Sequence, residues 1–159
     1  MTTEVSQKEL DEILRNHVWA SMGVGMIPVP VADIAGLMGV QLAMIKKLAG
    51  LFQVEFFKEA AEKIIISFLG YSLFSGMIPI ALSAIKAIPF IGQTIGSIIS
   101  PAFCGASTYA TGKVLIFHFQ TGGAILSLDP KKMKEHYRQM FKEGRKFSKE
   151  IKPGGISGK

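Results

Sequence analysis

The chain has 159 residues, enough for one domain with a sizeable core, and is 48% hydrophobic but only 19% charged, with a mean hydropathy of +0.34. Soluble domains average about 25% charged residues, so the chain is short of water-facing side chains and its class tilts towards membrane proteins. The whole formal net charge of +6 sits in 129–159, where ten Lys/Arg stand against Asp129, Glu135, Glu143 and Glu150; this basic tail suits an anionic lipid surface or an acidic partner, and it lacks a nucleic-acid-binding signature.

The N-terminus, "MTTEVSQKELDEILRN", is acidic and polar, so no cleaved secretory signal is expected and entry into a membrane is expected from the cytoplasmic side. Ser6 and Glu9 have capping-box spacing, with Val5 and Leu10 at staple positions. Leu10, Ile13, Leu14, Val18 and Ser21 share one face, which predicts an amphipathic helix over 6–23. Gly23 and Gly25 end it, and "GMIPVPVAD" turns the chain back as a stiff corner built on Gly25, Pro28, Pro30 and Asp33.

Asp33 reads as the N-cap or first-turn carboxylate of a second amphipathic helix, 33–52, in preference to an ion or proton site in apolar surroundings. The apolar face of that helix comprises Ile34, Leu37, Met38, Leu42, Ile45, Leu48 and Phe52, and it is placed at the membrane interface. From Ile64 to Ile85 no residue is charged, and after Lys86 residues 87–112 are again uncharged. Crossing about 30 Å of hydrocarbon takes about 20 apolar residues, so 55–85 and 87–126 are predicted to form a hairpin of membrane helices. Gly76, Pro79 and Pro89 are its breaks, and Phe68 and Ile98 lie against lipid. A basic amphipathic helix follows over 129–152, with Asp129-Pro130 at its start and Met133, Tyr137, Met140, Phe141 and Phe147 on one stripe. Residues 153–159 are expected to be disordered.

The expected fold is therefore all-α: a helical membrane protein with a central apolar helical hairpin flanked by amphipathic helices, in one domain over 1–128 plus the C-terminal helix. The positive-inside rule puts both termini in the cytoplasm, at a bacterial inner membrane. A soluble all-helical domain, its hairpin wrapped by the amphipathic helices, is the alternative.

"GQTIGS" (92–97) lacks the lysine and the spacing of a phosphate-binding loop. Gly92, Gly96 and Ser100, then Ala106 and Ala110, read instead as small residues that let membrane helices approach closely, in the same chain or between copies. His17, His118 and His136 are scattered, and Cys104 is the only cysteine, so no metal site and no intrachain disulfide are expected. Lys113 has three open roles: pairing with a tail acid, binding lipid phosphate or lining a pore. No nucleophile elbow or acid–base pair stands out, so neither catalytic residues nor a cofactor are expected. Lys131, Lys132, Lys134, Arg138, Lys142, Arg145 and Lys146 form the surface expected to meet lipid or a partner.

Three stretches, "ASMGVGMIPVPVADIAGLMGVQLAMIKKLAG" (20–50), "IPFIGQTIGSIISPAFCGASTYATGKV" (88–114) and "FHFQTGG" (117–123), resemble the bacterial domain of unknown function 697, the YcjF-like, GTPase-associated family. The resemblance covers about two-thirds of the chain. It implies a membrane-embedded helical protein and a Ras-like GTPase partner, which would act in trans because the chain carries no GTPase motifs. The resulting expectation is a non-enzymatic, homo-oligomeric anchor or effector in the lipid bilayer for a cytoplasmic partner. An oligomeric channel or transporter subunit, suggested by the proline-broken apolar segments, and a soluble self-assembling scaffold are the alternatives.

Overall fold

The structure, a computed structural model, describes residues 4–26, 30–74 and 100–151. Among these residues five α-helices and one short 3-10 turn form, and no strand. They are α1 (Gln7–Val24), α2 (Pro30–Leu51), α3 (Lys58–Phe74), α4 (Pro101–Gln120), the 3-10 turn Ile125–Ser127, and α5 (Lys134–Glu150). Pro28, Gly76, Pro79, Pro89, Gly92, Gly96, Ile98 and the tail 153–159 lie outside the described residues, and Pro30 and Asp33 are placed only as backbone in the first turn of α2.

α1 follows its sequence pattern closely. Leu10, Leu14, His17, Val18 and Ser21 are buried on one face, and Val5 packs beside Leu10 against the core. Ser6 is the N-cap, but its hydroxyl caps nothing; the Ser6 carbonyl accepts from the Leu10 amide at 3.1 Å, so the capping box does not form. Gly25 ends the helix, and close approach rather than an unusual backbone angle fixes it there: a Cβ at Gly25 would sit 2.9 Å from the Pro101 Cα.

The four helices α1 to α4 alternate in direction. Ser21 reaches the Cys104 carbonyl, Gln41 on α2 reaches Ser107, and Phe52 beyond α2 meets Phe119 at 5.6 Å. α2 ends in a Schellman turn: the Val54 amide donates to the Ala49 carbonyl at 2.8 Å and Gln53 donates to Gly50, with Gln53 left-handed at φ 55°. α3 starts at Lys58, later than expected, and pairs Lys58 with Glu62 at 3.8 Å.

The largest departure from the sequence reading is α4. A helix predicted to face lipid as part of 87–126 starts afresh at Pro101, with the Ser100 hydroxyl accepting the Phe103 amide as N-cap. It lies at the centre of the bundle, flanked by α1, α2, α3 and α5, with Phe103, Ala106, Ala110, Val114 and Leu115 buried. Phe68, expected against lipid, is likewise buried and stacks on Tyr137 with ring centroids 4.5 Å apart. The physical reason is that a largely apolar helix that segregates no polar face has two solutions, lipid or protein on every side, and here protein surrounds it. Among the described residues the stretch long and apolar enough to span a membrane is Ile34–Leu51 of α2, and Leu37, Met44, Ile45 and Leu48 within it are core residues. A membrane hairpin is not seen in the described residues.

Candidate functional site

Two features stand out: a polar network inside the bundle and a cationic, apolar-edged surface at one end of it. The network begins at Gln41, fully buried on α2. Its side-chain amide donates to the Ser107 hydroxyl at 3.0 Å and to the Thr108 hydroxyl at 3.3 Å, and its carbonyl accepts from Thr111 at 3.2 Å. Tyr137 on α5 extends the chain of contacts, donating to Ser107 at 3.2 Å and lying 2.8 Å from Ser72 on α3. Four helices thus meet on six buried polar side chains whose alternatives inside an apolar core are unsatisfied groups.

Burial pushes the Tyr137 hydroxyl up to about 12, against the opposing pull of its hydroxyl partners. The group therefore stays neutral and serves as a donor rather than a base. A phenol whose folded pKa is raised above its unfolded value stabilises the fold fully below the unfolded value and loses that stabilisation as pH rises through the folded one. Stability is expected to fall by up to about 1.4 kcal/mol per pH unit between about pH 10 and 12. Denaturant midpoints measured against pH check this, and Tyr137→Phe should flatten that limb.

α5 joins this interior by one face. Tyr137, Phe141, Gly144 and Ser148 are buried, with Met133, Met140 and Phe147 partly so. The helix begins at Lys134 rather than at Asp129. Asp129 instead caps a preceding turn, its carboxylate accepting the Lys131 amide at 3.0 Å. Lys131, Lys132, Lys134, Arg138, Lys142 and Lys146 are exposed and Arg145 is half-buried. Helical spacing puts Lys134, Arg138, Lys142 and Arg145 on one arc flanking the buried face. The Lys134 ammonium lies 5.4 Å from the Tyr71 ring centre, and that of Lys113 lies 5.5 Å from the Tyr109 ring centre, whose hydroxyl reaches Glu143 at 3.5 Å. Lys113 is thereby linked to a tail acid through Tyr109.

Of the small residues singled out from sequence, Ala106 and Ala110 are fully buried inside the bundle, where Gly144 of α5 crosses Ala106. The close approach they permit is within one chain, and Ser100 is a cap. Among the described residues no group of three or more His, Cys, Asp and Glu is placed to hold a metal ion. Gln41 was not anticipated. Its signal was the lone amide in the apolar run "GVQLAM", together with the Ser and Thr hydroxyls of "STYAT".

Exposed apolar side chains lie at both ends of the bundle: Phe57, Phe117 and Leu126 at one, and Met26, Ile34, Leu73 and Phe74 at the other. Gly25 and Met26 close α1 at the latter end, α2 starts there beside Val24, and α4 begins there against Gly25. α3 reaches the same level through Ser72 and ends at Phe74. Phe74 is 88% and Met26 74% exposed, with Ile34 and Leu73 also open.

The sequence pattern of a domain of unknown function (DUF697) matches residues 1–146. Magnetosome membrane protein 22 of Magnetospirillum gryphiswaldense is 32% identical over 143 residues, which cover 89% of this chain and 73% of that protein. No solved structure matches the chain.

Proposed function

The chain belongs to the DUF697 family, and from that premise we propose that it is a non-enzymatic membrane anchor, its helical bundle held on the cytoplasmic face of a bacterial inner membrane. The observation that carries this reading is that Met26, Ile34, Leu73 and Phe74 are exposed at the end where α3 stops and α4 starts, the ends joined in sequence by residues 75–99. Those 25 residues hold a single charge, Lys86. Water is a poor solvent for such a surface, and a bilayer is a good one. Relatedness to a magnetosome membrane protein supports association with a membrane.

Two crossings of about 30 Å of hydrocarbon take about 20 apolar residues each, and 25 residues fall short of that. The reading is therefore insertion into one leaflet, with both flanks and both termini on the cytoplasmic side. The basic arc of α5 is offered to anionic lipid or to an acidic cytoplasmic partner, and the family resemblance favours a small GTPase acting in trans. Self-association is part of the proposal, through surfaces other than Ala106 and Ala110.

Single cysteines in a Cys104→Ala background, reacted with a membrane-impermeant maleimide, test the topology. Lys146→Cys is expected to label at least tenfold more in inside-out vesicles than in right-side-out ones, and Lys86→Cys to resist from both sides. Labelling of Lys86→Cys from the outside would mean that the segment crosses. Recovery of the protein in the supernatant without detergent would overturn the membrane reading itself.

A further inference from the structure

Between α3 and the turn that precedes α5 runs an open groove with an apolar floor of Ile66, Gly70 and Phe74 and a rim carrying Lys131 and Lys134. Ile66 is 57% exposed, and a Cβ at Gly70 would touch nothing, so the floor is bare. The cations are held in place from below. Lys134 is seated over the Tyr71 ring, which still leaves its ammonium donors free to bind an anion, and Lys131 is carried by a turn that Asp129 closes. Asp129 is the one acid lining the groove, and its carboxylate oxygen is engaged by the Lys131 amide.

We propose that this groove is a binding site for an anionic phospholipid, with the headgroup phosphate at Lys131 and Lys134 and an acyl chain along Ile66, Gly70 and Phe74. The inference rests on the membrane reading above and deepens it, since the groove opens at the bundle end that carries Phe74. An amphiphile with one negative end matches a surface that is cationic at its rim and apolar at its floor. A soluble anion would leave Phe74 and Ile66 in water, and an apolar peptide would leave the two lysines unpaired. The lipid satisfies both halves at once.

Flotation of the full chain with vesicles of phosphatidylcholine alone, and of phosphatidylcholine with a quarter phosphatidylglycerol, tests it. The wild type should float with both and prefer the anionic vesicles about tenfold or more, since each lysine near an anionic surface contributes about fivefold. Lys131→Gln with Lys134→Gln should bring the preference to about twofold or less while binding to neutral vesicles persists. Gly70→Phe, which fills the floor without changing charge, should lower it about fivefold. Lys46→Gln with Lys47→Gln removes equal charge from the far end of α2 and should leave it within about twofold. If the Lys46/Lys47 pair lowers the preference as much as the Lys131/Lys134 pair, or Gly70→Phe leaves it unchanged, the attraction is diffuse and the site is overturned. A wild type that floats with both vesicles equally overturns the site alone, whereas one that floats with neither overturns the membrane reading.

Discussion

Gln41→Leu is expected to destabilise the bundle by about 2–4 kcal/mol, although leucine is apolar and close in size. The substitution leaves the hydroxyls of Thr108 and Thr111 without this partner in a region closed to water, and Ser107 with Tyr137 in its place. Each unsatisfied buried group costs about 1–3 kcal/mol. The sum stays below two full penalties because a helical Thr can turn back to a carbonyl of the preceding turn. Gln41→Glu separates the electrostatic part from packing. A carboxylate there would be fully buried, so its folded pKa would be raised. An acid with a raised folded pKa is tolerated below its unfolded value, about 4.3, and becomes costly as pH rises through the folded one. Gln41→Glu should therefore approach wild-type stability near pH 4 and fall well below it at pH 8, whereas Gln41→Leu should show no such difference. Urea midpoints in mild detergent at the two pH values decide it. A Gln41→Leu protein as stable as wild type would mean that the network contributes nothing.

The same residue shows where sequence reading reaches its limit. α1 is legible because its signals are local: a cap residue at Ser6, apolar positions three and four apart, and glycine at the end. Gln41 and its partners are 66 to 70 residues apart, so nothing within either segment announces the other. α4 fails for a different reason. Its residues 101–120 hold one full charge, Lys113, and segregate no polar face, and that pattern is shared by a membrane span and by the central helix of a bundle. Only the neighbours decide, and α1, α2, α3 and α5 supply them here. The apolar face of α5 was legible in the stripe Met133, Tyr137, Met140, Phe141 and Phe147, whereas Gly144 and Ser148, too small or too polar to mark a face, are added to it only by the fold. The exposed apolar end with Met26, Ile34, Leu73 and Phe74 could not be assigned in the same way, because it is assembled from the termini of α1 and α3 and the start of α2, which are distant in sequence.

Gly144→Ala is expected to loosen α5 from the bundle, and Gly112→Ala to be nearly silent, although both add one methyl group to a tightly packed glycine. At Gly144 the new Cβ would lie 2.9 Å from the Ala106 carbonyl oxygen and 3.0 Å from the Ala106 Cα, with the Tyr109 Cβ at 2.9 Å. These are backbone atoms and a side-chain root, none of which can rotate away, so α5 must shift as a body. Overpacking of this kind costs about 1–3 kcal/mol, against a gain of about 1 kcal/mol in helix propensity. At Gly112 the atoms in the way are Leu14 Cδ1 and the end of Met44, and a flexible thioether yields at little cost. There the propensity gain offsets the crowding, and the net effect should stay within about 1 kcal/mol. Gly144→Leu, several atoms larger, should detach α5 outright, uncovering Tyr137 and Phe141 and ending the contact between Tyr137 and Ser107. Tryptic cleavage at Lys142 and Lys146 reads this directly: it should accelerate at least tenfold for Gly144→Leu, measurably for Gly144→Ala, and not at all for Gly112→Ala. Equal protection in all three proteins would show that α5 does not depend on the crossing at Ala106.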